Sequence, residues 1–295
     1  MESVLASLPP GSGVAAVRLR SLGDCVLTTP ALDILKQFRP DLRVAVVVED
    51  RFRAIFEGNP DVDEILPPEL GALRRFRADL AINFHGGTRS AWMTALSGAR
   101  HRAGFGHYRL QFPYSLRIPR AQEILGVERK VHTAEHLASA IFWLGAPQRE
   151  IPRAKLFADA TGHTATAVIH GVAAAPEKTW PAERFLKVAA HLRSAGLEPV
   201  FVGAASDDLA PFREYRTAQS TLAELKALLA RASLFVGNDS GPAHMAAAFG
   251  LPVVVFFGPS DREVWAPWRT ASQVLPMSVP ADDAIAALSR LRVAA

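Results

Sequence analysis

With one cysteine, Cys25, in 295 residues, the chain can close no internal disulfide and assemble no thiolate metal cluster, which fits a reducing compartment. No run approaches the roughly 18 consecutive apolar residues of a membrane span. The first residues hold no basic segment leading into an apolar signal core, so a cytoplasmic protein is expected. Nowhere do His, Asp and Glu gather at a spacing that suggests metal ligands, and neither metal nor cofactor is expected. Repeats of solenoid period and low-complexity tracts are also missing, which argues against stacked-repeat architectures. Charge excess is small: 33 basic against 29 acidic side chains leaves +4. That surplus suits an anionic ligand or an anionic membrane face, and equally an ordinary basic surface. Nucleic acid is not an expected partner.

What the chain does have is apolar content, 49% of its residues, enough for a large core and, at this length, for two ordinary domains. Short β-branched runs alternate with helical stretches. Residues 14–19 read as a strand, followed by the turn RSLGD and a helix over 25–38 that Pro40 terminates. Strands follow at 43–48, in VDEIL and at 79–84, the last ending in the turn HGGTRS. The pattern restarts with AVIH at 167–170, an amphipathic helix over 181–196, the strand EPVFVGA and the helix TLAELKALLARA. A boundary near residues 144–154, where two prolines and mixed charges follow a helix, divides the chain into 1–150 and 151–295. Two doubly wound parallel α/β sheets facing a cleft are the expected fold class.

The densest signal lies at residues 234–261, LFVGNDSGPAHMAAAFGLPVVVFFGPSD. An apolar strand breaks into Asn238, Asp239, Ser240, Gly241, Pro242 and His244, and an alanine-rich helix and another apolar strand follow. A helix beginning at 240–242 presents unpaired backbone N–H groups and the positive end of its dipole, and Gly241 lets a ligand approach the backbone closely. This is the chemistry of an anion site. The plainer alternative is that Asp239 or Ser240 only caps the helix and His244 is an interior histidine. Asp24, in RLRSLGDCVLTTPAL, is either a general base or a simple N-cap. Lys178, in the loop HGVAAAPEKTWP, is either a phosphate ligand or a solvated lysine. Arg89, Arg100, Arg102, Arg117 and Arg120 are candidate contacts to an anionic acceptor or solvated surface, Arg89 and Arg120 being preferred.

SLGDCVLTTPAL, PEKTWPAERF and VGNDSGPAHMAAAFGLPVVVFFGPSD, in this order, resemble the glycosyltransferase family 9 heptosyltransferases of lipopolysaccharide synthesis; EGNPDVDEIL, ADLAINFHGGTRSA and PSDREVWAPW are similar to that family's intermediate segments. The resemblance implies a GT-B fold, with an acceptor-binding Rossmann-like domain first and a nucleotide-sugar-binding one second. It implies inverting, metal-independent transfer of a sugar, heptose from ADP-heptose, to a lipopolysaccharide-core or other glycan or glycolipid acceptor, with peripheral contact at the inner membrane face. Asp24 matches the family's proposed base and Lys178 its diphosphate lysine. Asp239, Ser240, Gly241 and His244 match the motif that holds diphosphate and sugar, and Asp207 resembles an acidic position near the ribose. The chain departs from the pattern at Gly171 and Val172, where a Pro-Gly pair is usual. It departs again at 218–222, where the shortened segment leaves little room for the usual strand and helix. A GT-B nucleotide-sugar hydrolase or epimerase, and a non-catalytic nucleotide-sugar-binding module, are the alternative readings.

Overall fold

The computed structural model describes residues 3–159, 162–173 and 175–291. The chain divides into two compact units, Met1–Lys155 and Leu156–Ala295.

The first unit is built on strands β1 (Gly13–Val17), β2 (Arg43–Val47), β3 (Glu64–Leu66), β4 (Ala78–Asn83), β5 (His101–Phe105) and β6 (Leu116–Ile118). They lie in the order β3-β2-β1-β4-β5-β6, every neighbouring pair parallel. The central strand β1, GVAAV, is buried along its whole length. That is why its sequence is a continuous small and β-branched run rather than an alternating one. Its end sets Val17 beside Val47 on one side and Asn83 on the other.

The second unit carries β7 (Thr166–His170), β8 (Glu198–Gly203), β9 (Arg216–Gln219), β10 (Leu234–Asn238), β11 (Val253–Phe257) and β12 (Ser272–Pro276). Their order, β12-β11-β10-β7-β8-β9, is that of the first sheet read from the opposite edge. Helix Ala182–Ser194 covers this sheet with Phe185, Val188, Ala189 and Leu192, spaced at one helical face. Trp180, fully buried, stacks on Phe256 at 3.9 Å and donates from Nε1 to the Val279 carbonyl at 3.1 Å. It anchors the downstream end of the loop that carries Lys178.

Both sheets are doubly wound, and in each the winding reverses between two adjacent strands: β1 and β4 in the first unit, β7 and β10 in the second. Ligands of such folds bind outside the carboxyl ends of strands at that reversal. The expected sites fall there: Asp24 follows β1 and Ser240 follows β10. The structure adds strands that sequence patterning did not show, namely β5, β6 and β12. It also corrects one expectation, because the segment before Thr221 does hold a strand, β9, paired in parallel with β8. Only the helix is cut down there, to a single 3-10 turn at Ala210–Phe212.

Candidate active site

In the first unit the site grows from the end of β1. Helix Leu22–Phe38 begins with Ser21 at the N-cap, so Asp24 lies three residues inside the helix start and is not the cap, which removes the simple capping alternative. Ser21 Oγ donates to Asp24 Oδ2 at 3.1 Å. Arg18 Nη1 lies 3.6 Å from the same oxygen. A carboxylate in the first helical turn is also favoured by the helix dipole. Arg18 itself is buried, and it donates through Nη2 to the carbonyl of Phe84, just past β4. The reversal thus ties the turn after β1 to the turn after β4.

That second turn is shaped by Asn83, a fully buried residue at the end of β4. Its Oδ1 accepts from the backbone N–H of His85 and of Gly86, and its Nδ2 donates to the Tyr114 hydroxyl at 2.7 Å. Gly86 has φ +75°, and a Cβ there would meet the Tyr108 ring at 2.7 Å, so no other residue fits. His85 Nδ1 lies 3.0 Å from the carbonyl of Arg20. A carbonyl only accepts, so Nδ1 carries the proton and Nε2 is the acceptor nitrogen. Burial, aided by the charges of Arg18 and Arg20, holds the imidazole below its ordinary pKa and therefore neutral. Sequence reading passed over His85, Arg18 and Asn83.

The two preferred arginines have different partners. Arg89, exposed in the first turn of helix Thr88–Leu96, donates to the Pro68 carbonyl at 2.9 Å and lies 3.9 Å from Glu49 Oε1. Arg120, exposed at the N-cap position of helix Ala121–Leu125, adds to burial in lowering the pKa of His107. His107 in turn neighbours His136, which stacks on Phe105 at 3.9 Å and is driven by burial to about 3.

In the second unit, helix Gly241–Phe249 starts at the end of β10 with Ser240 at the N-cap position, but the side chain makes no capping bond. Ser240 Oγ lies 3.0 Å from the Asn238 carbonyl and 3.1 Å from Nδ1 of His170, the last residue of β7. Burial pulls the His170 imidazole down to about 4, so it stands neutral against the hydroxyl. The helix start is therefore left uncapped by Ser240, and its backbone amides keep their anion-binding capacity. Asp239 and Gly241 flank it half-buried, and His244 sits one turn on, buried.

Asn238 positions the loop opposite. Fully buried, it accepts from the Trp180 backbone N–H at 2.9 Å and donates to the Val172 carbonyl at 3.4 Å, joining the two flanks of the Lys178 loop. Ala174 of that loop lies outside the described residues. Lys178 ends the turn Pro176–Lys178, half-buried, with Nζ donating to Ser260 Oγ at 3.3 Å. A Cβ on Gly258 would come within 2.5 Å of the Glu177 carbonyl, so Gly258 is what lets the loop lie against the GPSD turn. Asp207 Oδ2 accepts from Ala204 N–H at 2.7 Å and shapes the turn after β8; its charge is felt at His170. His170 was missed here, and Asn238, noted only as part of the polar break after the strand, was given no role. No group of three or more His, Cys, Asp and Glu that could hold a metal ion is assembled among the described residues.

The model of glycosyltransferase family 9 (heptosyltransferase) matches residues 70–283. The chain belongs to that family. The matched span takes in Lys178, Asp207 and the Ser240 turn. Lipopolysaccharide heptosyltransferase 3 of Escherichia coli strain K12 is 28% identical over 292 residues, covering 85% of this chain and 83% of that protein. Among solved structures, the glycosyl transferase family 9 protein from Veillonella parvula DSM 2008 superposes with a TM-score of 0.78 at 23% identity, covering 90% of this chain and 86% of that one. E. coli heptosyltransferase WaaC with ADP gives 0.79 at 19%, covering 94% and 99%. At such identities these two likenesses speak for the fold, GT-B with two Rossmann-like units. Family membership makes the chain a heptosyltransferase-like glycosyltransferase.

Proposed function

We propose that this glycosyltransferase moves a heptose from ADP-heptose to a lipopolysaccharide-core or related anionic glycan acceptor, with inversion and without a metal ion. In this reading Asp24 takes the proton of the acceptor hydroxyl, the oxygen attacks the anomeric carbon, and the bond from that carbon to the diphosphate breaks. The departing ADP carries the negative charge, which Lys178 and the amides at Ser240 and Gly241 stabilise. Asp207 is assigned to the ribose and His244 to the diphosphate and sugar. Arg89 and Arg120 are assigned to the acceptor.

The observation that carries this reading is the uncapped helix start after β10, with the Lys178 loop stapled by Asn238. A fixed cation and open amides are what a leaving diphosphate needs. Names borne by similar proteins point to the donor: one solved relative is WaaC with ADP, another WaaC with ADP-2-deoxy-2-fluoro heptose.

The test is product analysis with ADP-heptose, with and without a heptose-accepting lipopolysaccharide core, in EDTA. The reading expects a glycoside of inverted anomeric configuration, formed only with acceptor and undiminished by EDTA. Free heptose as the main product, or activity restored only by magnesium, would overturn it.

A further inference from the structure

His85 stands at the same strand reversal as Asp24 but has no part in the proton transfer assigned above. Its backbone is braced on both sides. The Phe84 carbonyl accepts from Arg18 Nη2 and from the Tyr108 hydroxyl, and Asn83 Oδ1 accepts from the N–H groups of His85 and Gly86. The ring is fixed as well, because Nδ1 donates to the Arg20 carbonyl at 3.0 Å and so joins the turn after β4 to the turn after β1. Arg20 immediately precedes Ser21, whose hydroxyl donates to Asp24, and the Asp24 charge is felt at the imidazole.

The other ring nitrogen, Nε2, has no hydrogen-bond partner among the described residues, and it is not buried. Gly87 lies along that edge of the ring. A Cβ there would stand 3.1 Å from Cδ2 and 3.3 Å from Nε2, so a larger residue would crowd the nitrogen. Because the imidazole is neutral and its proton is on Nδ1, Nε2 offers a lone pair held in one place, which suits a hydroxyl and not an anion. Asp24 alone would fix a sugar at one point. The ring could turn about that point and present another of its hydroxyls. A second fixed acceptor, carried by the end of a different strand, removes that freedom.

We propose that His85 Nε2 accepts a hydrogen bond from a non-reacting hydroxyl of the acceptor sugar and thereby orients that sugar with its reacting hydroxyl at Asp24. His85 touches the acceptor and takes no proton from it; the reacting proton still goes to Asp24. The inference rests on the transferase reading for the assignment of the first unit to the acceptor.

The probes are a heptose-accepting lipopolysaccharide core and a set of cores in which each non-reacting hydroxyl of the accepting sugar is replaced in turn by hydrogen. Their binding to wild type, His85→Asn and His85→Gln is measured by isothermal titration with no donor present. Asn can keep the donation to Arg20 but ends short of the Nε2 position, whereas Gln brings its amide oxygen near it. His85→Asn is expected to bind the unmodified core about tenfold more weakly than wild type, with melting temperature and donor affinity little changed, and His85→Gln to recover most of that loss. One deoxy core is expected to cost wild type the same factor and His85→Asn nothing further, a coupling that a merely structural role would not produce. Equal binding of the unmodified core by wild type and His85→Asn, or a difference between them that no deoxy core abolishes, overturns the proposal. So does turnover lost in His85→Asn with core binding intact, since His85 would then act on the proton. A wild type that shows the coupling but transfers no heptose counts against the transferase reading alone; one that binds no core overturns both.

Discussion

Asp24 and Ser21 share a hydrogen bond inside the first turn of one helix: the Ser21 hydroxyl donates to Asp24 Oδ2 at 3.1 Å while the buried Arg18 guanidinium lies 3.6 Å from the same oxygen. Because Ser21 is at the cap position, Asp24 is not required to start the helix. Asp24→Asn keeps an acceptor for Ser21 but removes the charge and the basicity. We expect a folded protein, melting only slightly lower as Arg18 loses its counter-charge, with donor binding intact and turnover down by about 10² to 10⁴. Near-wild-type turnover in such a variant would assign the carboxylate to structure and require another base.

Lys178 Nζ donates to Ser260 Oγ, and among the described residues no carboxylate is paired with it. Lys178→Ala should weaken donor binding about tenfold to a hundredfold, the range of a lost charge-assisted hydrogen bond, with acceptor KM little changed. Isothermal titration with donor and with acceptor separates the two. Unaltered donor affinity would remove Lys178 from the site.

Asn238 acts on the same loop from beneath. Asn238→Leu leaves the Trp180 N–H and the Val172 carbonyl without their buried partner, at a cost of about 1 to 3 kcal/mol in denaturant-measured stability. Donor affinity should fall with it, because Lys178 lies between the two stapled flanks. A variant that is less stable yet binds donor normally would show that the staple serves only the fold.

The candidate site was legible in the sequence to the extent that its chemistry is local. Strands such as GVAAV and VVVFF are buried on both faces and read as apolar runs; β5 (HRAGF) and β12 (SQVLP) carry polar residues and did not. Lys178, Asp24 and the Ser240 turn could be singled out as candidates because loop, turn and helix start are short-range features. Arg18, His85, His170 and Asn238 owe their roles to strands that are neighbours in the sheet and far apart in the chain. Arg18 reaches Phe84 across the β1–β4 reversal, and His170 reaches Ser240 across β7–β10. No spacing rule in the sequence announces such partners.

His170 makes stability depend on pH. In the folded state burial holds it near 4, whereas the unfolded imidazole titrates near 6.5, so between those values the unfolded chain binds the extra proton. Stability is full above about pH 6.5 and is lost as pH falls towards 4, by about 3 kcal/mol from this group. His170→Gln, which still offers Ser240 a partner, should flatten that loss in melting curves taken across the window. An unchanged pH slope would show that His170 is not buried neutral.

The central claim, that the second unit holds a nucleotide sugar at the helix start after β10, is tested most directly by thermal shift of the wild-type protein with ADP-, GDP-, UDP- and dTDP-sugars. A ligand that binds only the folded state raises the melting temperature with concentration. The account predicts a saturable rise with ADP-heptose, larger than with the other nucleotides and reduced in Lys178→Ala. No shift with any of them, or an equal rise in wild type and Lys178→Ala, would contradict it.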